Sequence, residues 1–119
     1  MDNRKVVKVV SSGFPQLVQR VNIYDSVLDK IREKHPEEFS PIDEVYSTIE
    51  GDATRIHKSR TNASAVVFVN DEATSTSGDP LRVPVKIYAD GSGIMSTAHF
   101  TSSKDQGELL WSKANAKQD

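Results

Sequence analysis

Ala63-Ser64-Ala65-Val66-Val67-Phe68-Val69 is the most apolar run in the chain, and Leu81-Arg82-Val83-Pro84-Val85-Lys86-Ile87-Tyr88-Ala89 follows it after a polar stretch. From Ala65 the first run is apolar at every position, the pattern of a strand buried on both faces. The second alternates Leu81, Val83, Val85, Ile87 and Ala89 with Arg82, Pro84, Lys86 and Tyr88, the pattern of a strand with one buried and one wet face. Asp90-Gly91-Ser92-Gly93 reads as a turn and Ile94 to Thr101 as the return strand, so residues 81–101 form a hairpin. Thr54 to Arg60 is a weaker strand candidate. Pro84 removes one ladder donor, which predicts an edge or bulged position. Asn70 to Pro80, rich in Ser, Thr, Asp and Gly, reads as a loop.

Upstream of Ala53 the period is different. Lys5-Val6-Val7-Lys8-Val9-Val10 reads as a short strand stopped by Ser11-Ser12-Gly13. Phe14, Leu17, Val18, Val21, Tyr24, Leu28 and Ile31 recur at three- and four-residue steps, which predicts a helix over 15–34 with Pro15 in its first turn and His35-Pro36 at its end. Asn22 and Asp25 leave a break near its middle open. Ser40-Pro41-Ile42-Asp43 carries a cap, a first-turn proline and an acid at the positive end of the dipole, so a second helix is expected over 41–50, closed by Gly51. Ser103 and Gln106 resemble a capping box before Glu108-Leu109-Leu110-Trp111, a candidate C-terminal helix, and the tail 114–119 reads as polar and frayed. The expected fold class is therefore α+β: an antiparallel sheet of four to five strands with helices 15–34 and 41–50 packed on one face.

The chain has 119 residues, 36% hydrophobic and 27% charged, which suits a single globular domain over 1–119. It contains no Cys, so thiol nucleophiles, iron–sulfur sites and thiolate zinc sites are excluded. Metal chemistry would rest on His35, His57, His99 and carboxylates; no metal or cofactor is expected. The first ten residues open with polar Asp2, Asn3, Arg4 and Lys5 and do not form a signal peptide, and no run of about 18 apolar residues exists to span a membrane. A cytoplasmic protein is the expectation. On that expectation, the glycosylation acceptor Asn62-Ala63-Ser64 has no chemistry behind it. The net charge of −2 argues against a generic polyanion binder, yet the segment 22–50 is acidic while 1–21 and 53–104 are basic.

If Leu81, Val83, Val85, Ile87 and Ala89 meet the helices, Arg82, Lys86 and Tyr88 point the other way. The return strand is expected to turn Ile94, Ser96, Ala98 and Phe100 inward, the more apolar set, and Met95, Thr97, His99 and Thr101 outward. Arg55 and His57 join the outer face by the same alternation if Ile56 is buried. Arg55, His57, Arg82, Lys86, Tyr88, His99 and Thr101 thus form a candidate ligand-binding face, with donors for phosphate and a ring for stacking on a base. The leading expectation is a small non-enzymatic binding protein that occupies a nucleotide, another phosphate-bearing molecule or nucleic acid. A protein-binding adaptor or inhibitor is an alternative, and the two-sided apolar character of Ala63–Val69 suggests a homodimer or higher homo-oligomer.

His57-Lys58-Ser59 and His99-Phe100-Thr101 are two copies of His-x-Ser/Thr, a spacing that puts imidazole and hydroxyl on one side of a strand. The pair resembles the paired motif of the two-histidine phosphoesterases. That resemblance implies a metal-independent phosphoesterase with one imidazole as base and the other as acid, which requires both rings to converge on one phosphate. In a simple meander they would instead stand three strands, about 14 Å, apart.

Overall fold

The computed structural model describes residues 5–34, 42–60, 62–74, 78–100 and 106–113. Eight strands build one sheet: β1 (Val6–Ser11), β2 (Arg20–Tyr24), β3 (Arg55–Ser59), β4 (Ala65–Thr74), β5 (Pro80–Ile87), β6 (Ser92–Met95), β7 (His99–Phe100) and β8 (Gln106–Ser112). Among the described residues two short helices, α1 (Asp25–Lys34) and α2 (Ile42–Ser47), accompany it, and α2 runs into a wide π-type turn over Thr48–Asp52. The strand order is β1-β2-β6-β5-β4-β3-β8, with β7 also paired to β5. Every pairing is antiparallel except β2 with β6, which is parallel. The expected antiparallel sheet of four to five strands is therefore replaced by one mixed sheet of eight. Among the described residues no helix is long and apolar enough to cross a membrane.

Three segments account for the difference. The helix expected over 15–34 exists only from Asp25. Its first part is a single turn, in which the Leu17 and Val18 amides both donate to the Phe14 carbonyl at 2.9 and 3.1 Å, followed by strand β2. Val21 and Ile23 are fully buried there while Asn22 and Tyr24 are half-buried. That alternation suits β-branched Val and Ile on a pleated surface. Asp25 marks the change of period, its carboxylate accepting from the Ser26 amide at 2.7 Å and from the Lys5 amide at 3.1 Å.

The helix expected over 41–50 is helical only to Ser47 among the described residues, and Ser40 and Pro41 lie outside them. It widens because the link between β1 and β2 docks on its end. The Gly13 amide donates to the Ile49 carbonyl at 3.0 Å, and a Cβ on Gly13 would collide with the Glu50 carbonyl. Gly51 then adopts φ 156° and ψ −8°, a conformation that L side chains rarely enter.

The candidate C-terminal helix is strand β8, which pairs with β3. Trp111 stands opposite Ile56 on the inner face, and its ring meets Phe14 edge-on with centroids 4.7 Å apart. Residues 101–105 and the tail 114–119 lie outside the described residues.

The inner face of the sheet carries the core. Ile56, Phe68, Leu81, Val83, Val85 and Met95 are fully buried against Ile31 of α1, Val45 of α2, Ile49 and the Phe14–Val18 turn. Each such side chain contributes about 1.5–3 kcal/mol on leaving water. The strand expected over Ala63–Val69 is central, as β4, and continues through Asn70–Thr74, residues expected as loop. Its extension is held by Asn70 Nδ2, which donates to Thr48 Oγ1 at 3.2 Å inside the fold.

β5 lies in the interior, with Pro84 opposite the place where β6 gives way to β7. An antiparallel residue turns its N–H and C=O to the same neighbour, and the Pro84 carbonyl accepts from Ser96 at 3.0 Å. The missing donor thus faces the irregular segment Ser96–Ala98, where no regular ladder exists to lose it. That segment also shifts the phase of the return strand by one residue. Met95 is fully buried opposite Val85 while Ile94 stands on the outer face beside Lys86, the reverse of the expectation. Beyond the shift, Ala98 and Phe100 turn inward and His99 outward, as expected.

Candidate functional site

Register alone brings the basic residues together. Arg55 of β3 stands opposite Val69 of β4, Val69 opposite Arg82 of β5, and Arg82 opposite His99 of β7, so these four form one row across the outer face. His57, two residues along β3, is opposite Val67, which is opposite Pro84 in the next row. Lys86 lies on the same face toward the hairpin, with its ammonium 5.6 Å from the centre of the Tyr88 ring just beyond β5. Thr101 lies outside the described residues.

The row has a partner that sequence reasoning missed. Asp71 continues β4 beyond Val69 on the same face, and its carboxylate takes a forked pair of bonds from Arg55, Nε to Oδ2 at 2.9 Å and Nη2 to Oδ1 at 3.1 Å. Thr54 Oγ1 donates to the same Oδ2 at 2.6 Å and accepts from the Asp71 amide at 3.0 Å. The Arg55 bonds are the main cause that lowers the Asp71 carboxyl below its ordinary range; Thr54 and the positive charges of Arg55 and Arg82 add to it, against a smaller effect of burial. The signal for Asp71 was the outward parity of Val67, Val69 and Asp71, hidden because the residues around it are typical of loops.

Arg55 also fixes His57. Arg55 Nη1 lies 3.0 Å from His57 Nε2, and His57 Nδ1 lies 3.1 Å from the Gly107 carbonyl. A guanidinium has no acceptor, so Nε2 accepts and Nδ1–H donates to the carbonyl. Both ring nitrogens are thereby occupied, and the residue is 8% exposed.

Arg82 differs from the expectation of an exposed strand residue. It is 6% exposed, and Val69 between the two arginines is fully buried on a face that was expected to be wet.

The paired His-x-Ser/Thr motifs do not converge. Strands β4 and β5 both lie between β3 and β7, which puts His57 and His99 about 14 Å apart at the usual strand spacing. The face has two guanidiniums arranged about one carboxylate, an imidazole at the end of the row and an ammonium below it. It can hold an anion by charge and by hydrogen bonds; it has no pair of imidazoles able to act as acid and base on one phosphorus. Among the described residues there is also no group of three His, Asp or Glu side chains placed to hold a metal ion. No protein-family model, no curated protein and no solved structure matches the chain.

Proposed function

We propose that the protein is a non-enzymatic, cytoplasmic binding protein that takes a phosphate-bearing ligand on the outer sheet face. The observation that supports this reading is the row Arg55, Val69, Arg82, His99, which aligns three nitrogen-rich side chains across four strands. Two guanidiniums against one carboxylate leave the row with excess positive charge, to which Lys86 adds. Arg55 is held in place by Asp71 and His57 before any ligand arrives, which reduces the ordering cost of binding. Phosphate suits this donor set because guanidinium forks match its oxygens. A nucleobase would find the Tyr88 ring at the lower rim of the same face.

The test is calorimetric titration of the protein with inorganic phosphate, mononucleotides and short oligonucleotides at low and high salt. Binding is expected to weaken steeply with salt. It should also fall about tenfold or more in Arg82→Lys, which keeps the stem and the charge but loses the fork, and less in Lys86→Ala. Absence of heat with every ligand, or affinity unchanged in both variants, overturns the reading. The alternative of a phosphoesterase predicts metal-independent turnover of phosphodiesters that is lost in both His57→Ala and His99→Ala; the separation of the two rings leads us to expect none.

A further inference from the structure

The sheet ends on one side in β1, and that edge is unusual in its side chains. Val7 and Val9, 51% and 53% exposed, are the most exposed large apolar residues among those described, and Val6 is 44% exposed. Natural edge strands are commonly blunted by charge, proline or a covering loop, because an open row of N–H and C=O groups invites another strand. Here, among the described residues, nothing pairs with the outer side of β1.

The ladder shows which groups are open. The Ser12 amide donates to the Gln19 carbonyl at 3.0 Å, so in the register Val10↔Val21 and Lys8↔Ile23 the even residues turn their backbone groups to β2. Val9 and Ser11 therefore turn theirs outward. The side chains alternate independently. Val9 shares the outer face of the sheet, whereas Lys8 points to the inner side, its ammonium 5.2 Å from the centre of the Tyr46 ring on α2. The charges on the edge are Lys5 and Lys8. The nearby acids belong to other elements: Asp25 is bonded to the Lys5 amide, and Asp43 acts on Tyr46.

We propose that β1 is a docking edge for an extended peptide segment of a partner protein, one that alternates apolar residues with an acid and adds as a ninth strand beyond β1. An apolar residue of the segment would lie beside Val9 and its acid beside Lys8, the cross-strand neighbours that stabilise a pair. Main-chain bonds to Val9 and Ser11 would supply affinity, as in other strand additions. A second copy of the chain is the poorer occupant. Antiparallel pairing of β1 with itself brings like-charged Lys8 side chains near each other, whereas an acidic segment meets Lys8 with the opposite charge. A contact one strand deep along a six-residue edge is also of the size of a lattice contact, under about 800 Å², rather than of a stable dimer.

The proposal is independent of the anion-binding reading and is tested without phosphate. A fluorescent Val-Glu-Val-Glu-Val peptide is titrated with the full chain, alongside its Val-Lys-Val-Lys-Val counterpart. The acidic peptide is expected to bind and the basic one to bind at least about tenfold more weakly. Val9→Pro removes only an outward N–H, which an edge strand tolerates, and is expected to lower acidic-peptide affinity about tenfold at an unchanged urea midpoint. Lys8→Glu is expected to invert the preference between the two peptides. Failure of both peptides to bind, equal binding of the two, or binding indifferent to Val9→Pro overturns the proposal. So does a doubled mass of the protein alone that Val9→Pro returns to one chain, which would assign the edge to a second copy.

Discussion

Between the two guanidiniums of the outer face, Asp71 is the residue whose ionisation couples that face to stability. Its carboxyl lies below the ordinary value of 3.8, chiefly through the Arg55 bonds. A carboxyl lowered in the folded state binds its proton less readily there than in the unfolded chain. Its contribution to stability is then complete above the unfolded value and is lost as pH falls through the lowered one. Asp90, lowered by the Ser92 hydroxyl and amide, has the same sign. The urea midpoint of the natural protein is therefore expected to decline from about pH 4 downward, and that of Asp71→Asn to start lower and decline less steeply. Asp71 is nearly half exposed, so solvent screens the effect and keeps it modest. Parallel acid titrations of the two proteins by fluorescence check this, and identical slopes would remove Asp71 from the account. At this scale much was legible in the sequence. Strand parity alone put Arg55, His57, Arg82, Lys86 and His99 on one face, because period 2 is a covalent property of an extended chain. The burial of Arg82 was not legible, since it depends on which strands flank β5, a matter of pairing and not of parity.

At the scale of elements, the return strand shows where parity fails. Ile94-Met95 and His99-Phe100 belong to one run in the sequence, but Ser96–Ala98 inserts an extra residue opposite Pro84, and every side chain before the insertion reverses its face. An inward Met and an outward Ile carry similar apolar character, so hydropathy could not decide between the two phases. Substitution can. Met95→Ala, at a fully buried position, is expected to cost about 2–5 kcal/mol, and Ile94→Ala clearly less. Urea unfolding of the two variants gives the comparison, and a larger loss in Ile94→Ala would put the phase back where the alternation first suggested. The β2 segment failed for a related reason. Val21, Tyr24, Leu28 and Ile31 fit a helical face, yet Val21 and Ile23 also fit a strand face, and tertiary pairing with β1 and β6 chose between them. β8 was hidden in the same way: Leu109-Leu110-Trp111 reads as helix or strand until β3 offers an edge to pair with.

For the whole molecule, the decisive unknown in the sequence was what covers the second face of the central strand. Ala65, Val67 and Val69 on that side suggested a partner chain, and so a homodimer. Part of that side is covered within one chain. Val69 is fully buried and Ala65 nearly so, while Val67 is half-buried. Two other places for a second copy are the sheet edges. β1 is turned against its own kind by Lys8, which leaves β8, where Leu109 and Leu110 are 44% and 38% exposed. Its described length is seven residues, and a contact along it alone falls short of the roughly 1,200 Å² of a specific stable interface. Light scattering at micromolar concentration is therefore expected to give the mass of one chain, 13.2 kDa. Twice that mass, retained in Val9→Pro and lost in Leu109→Lys, would locate a dimer on β8 and reverse this conclusion.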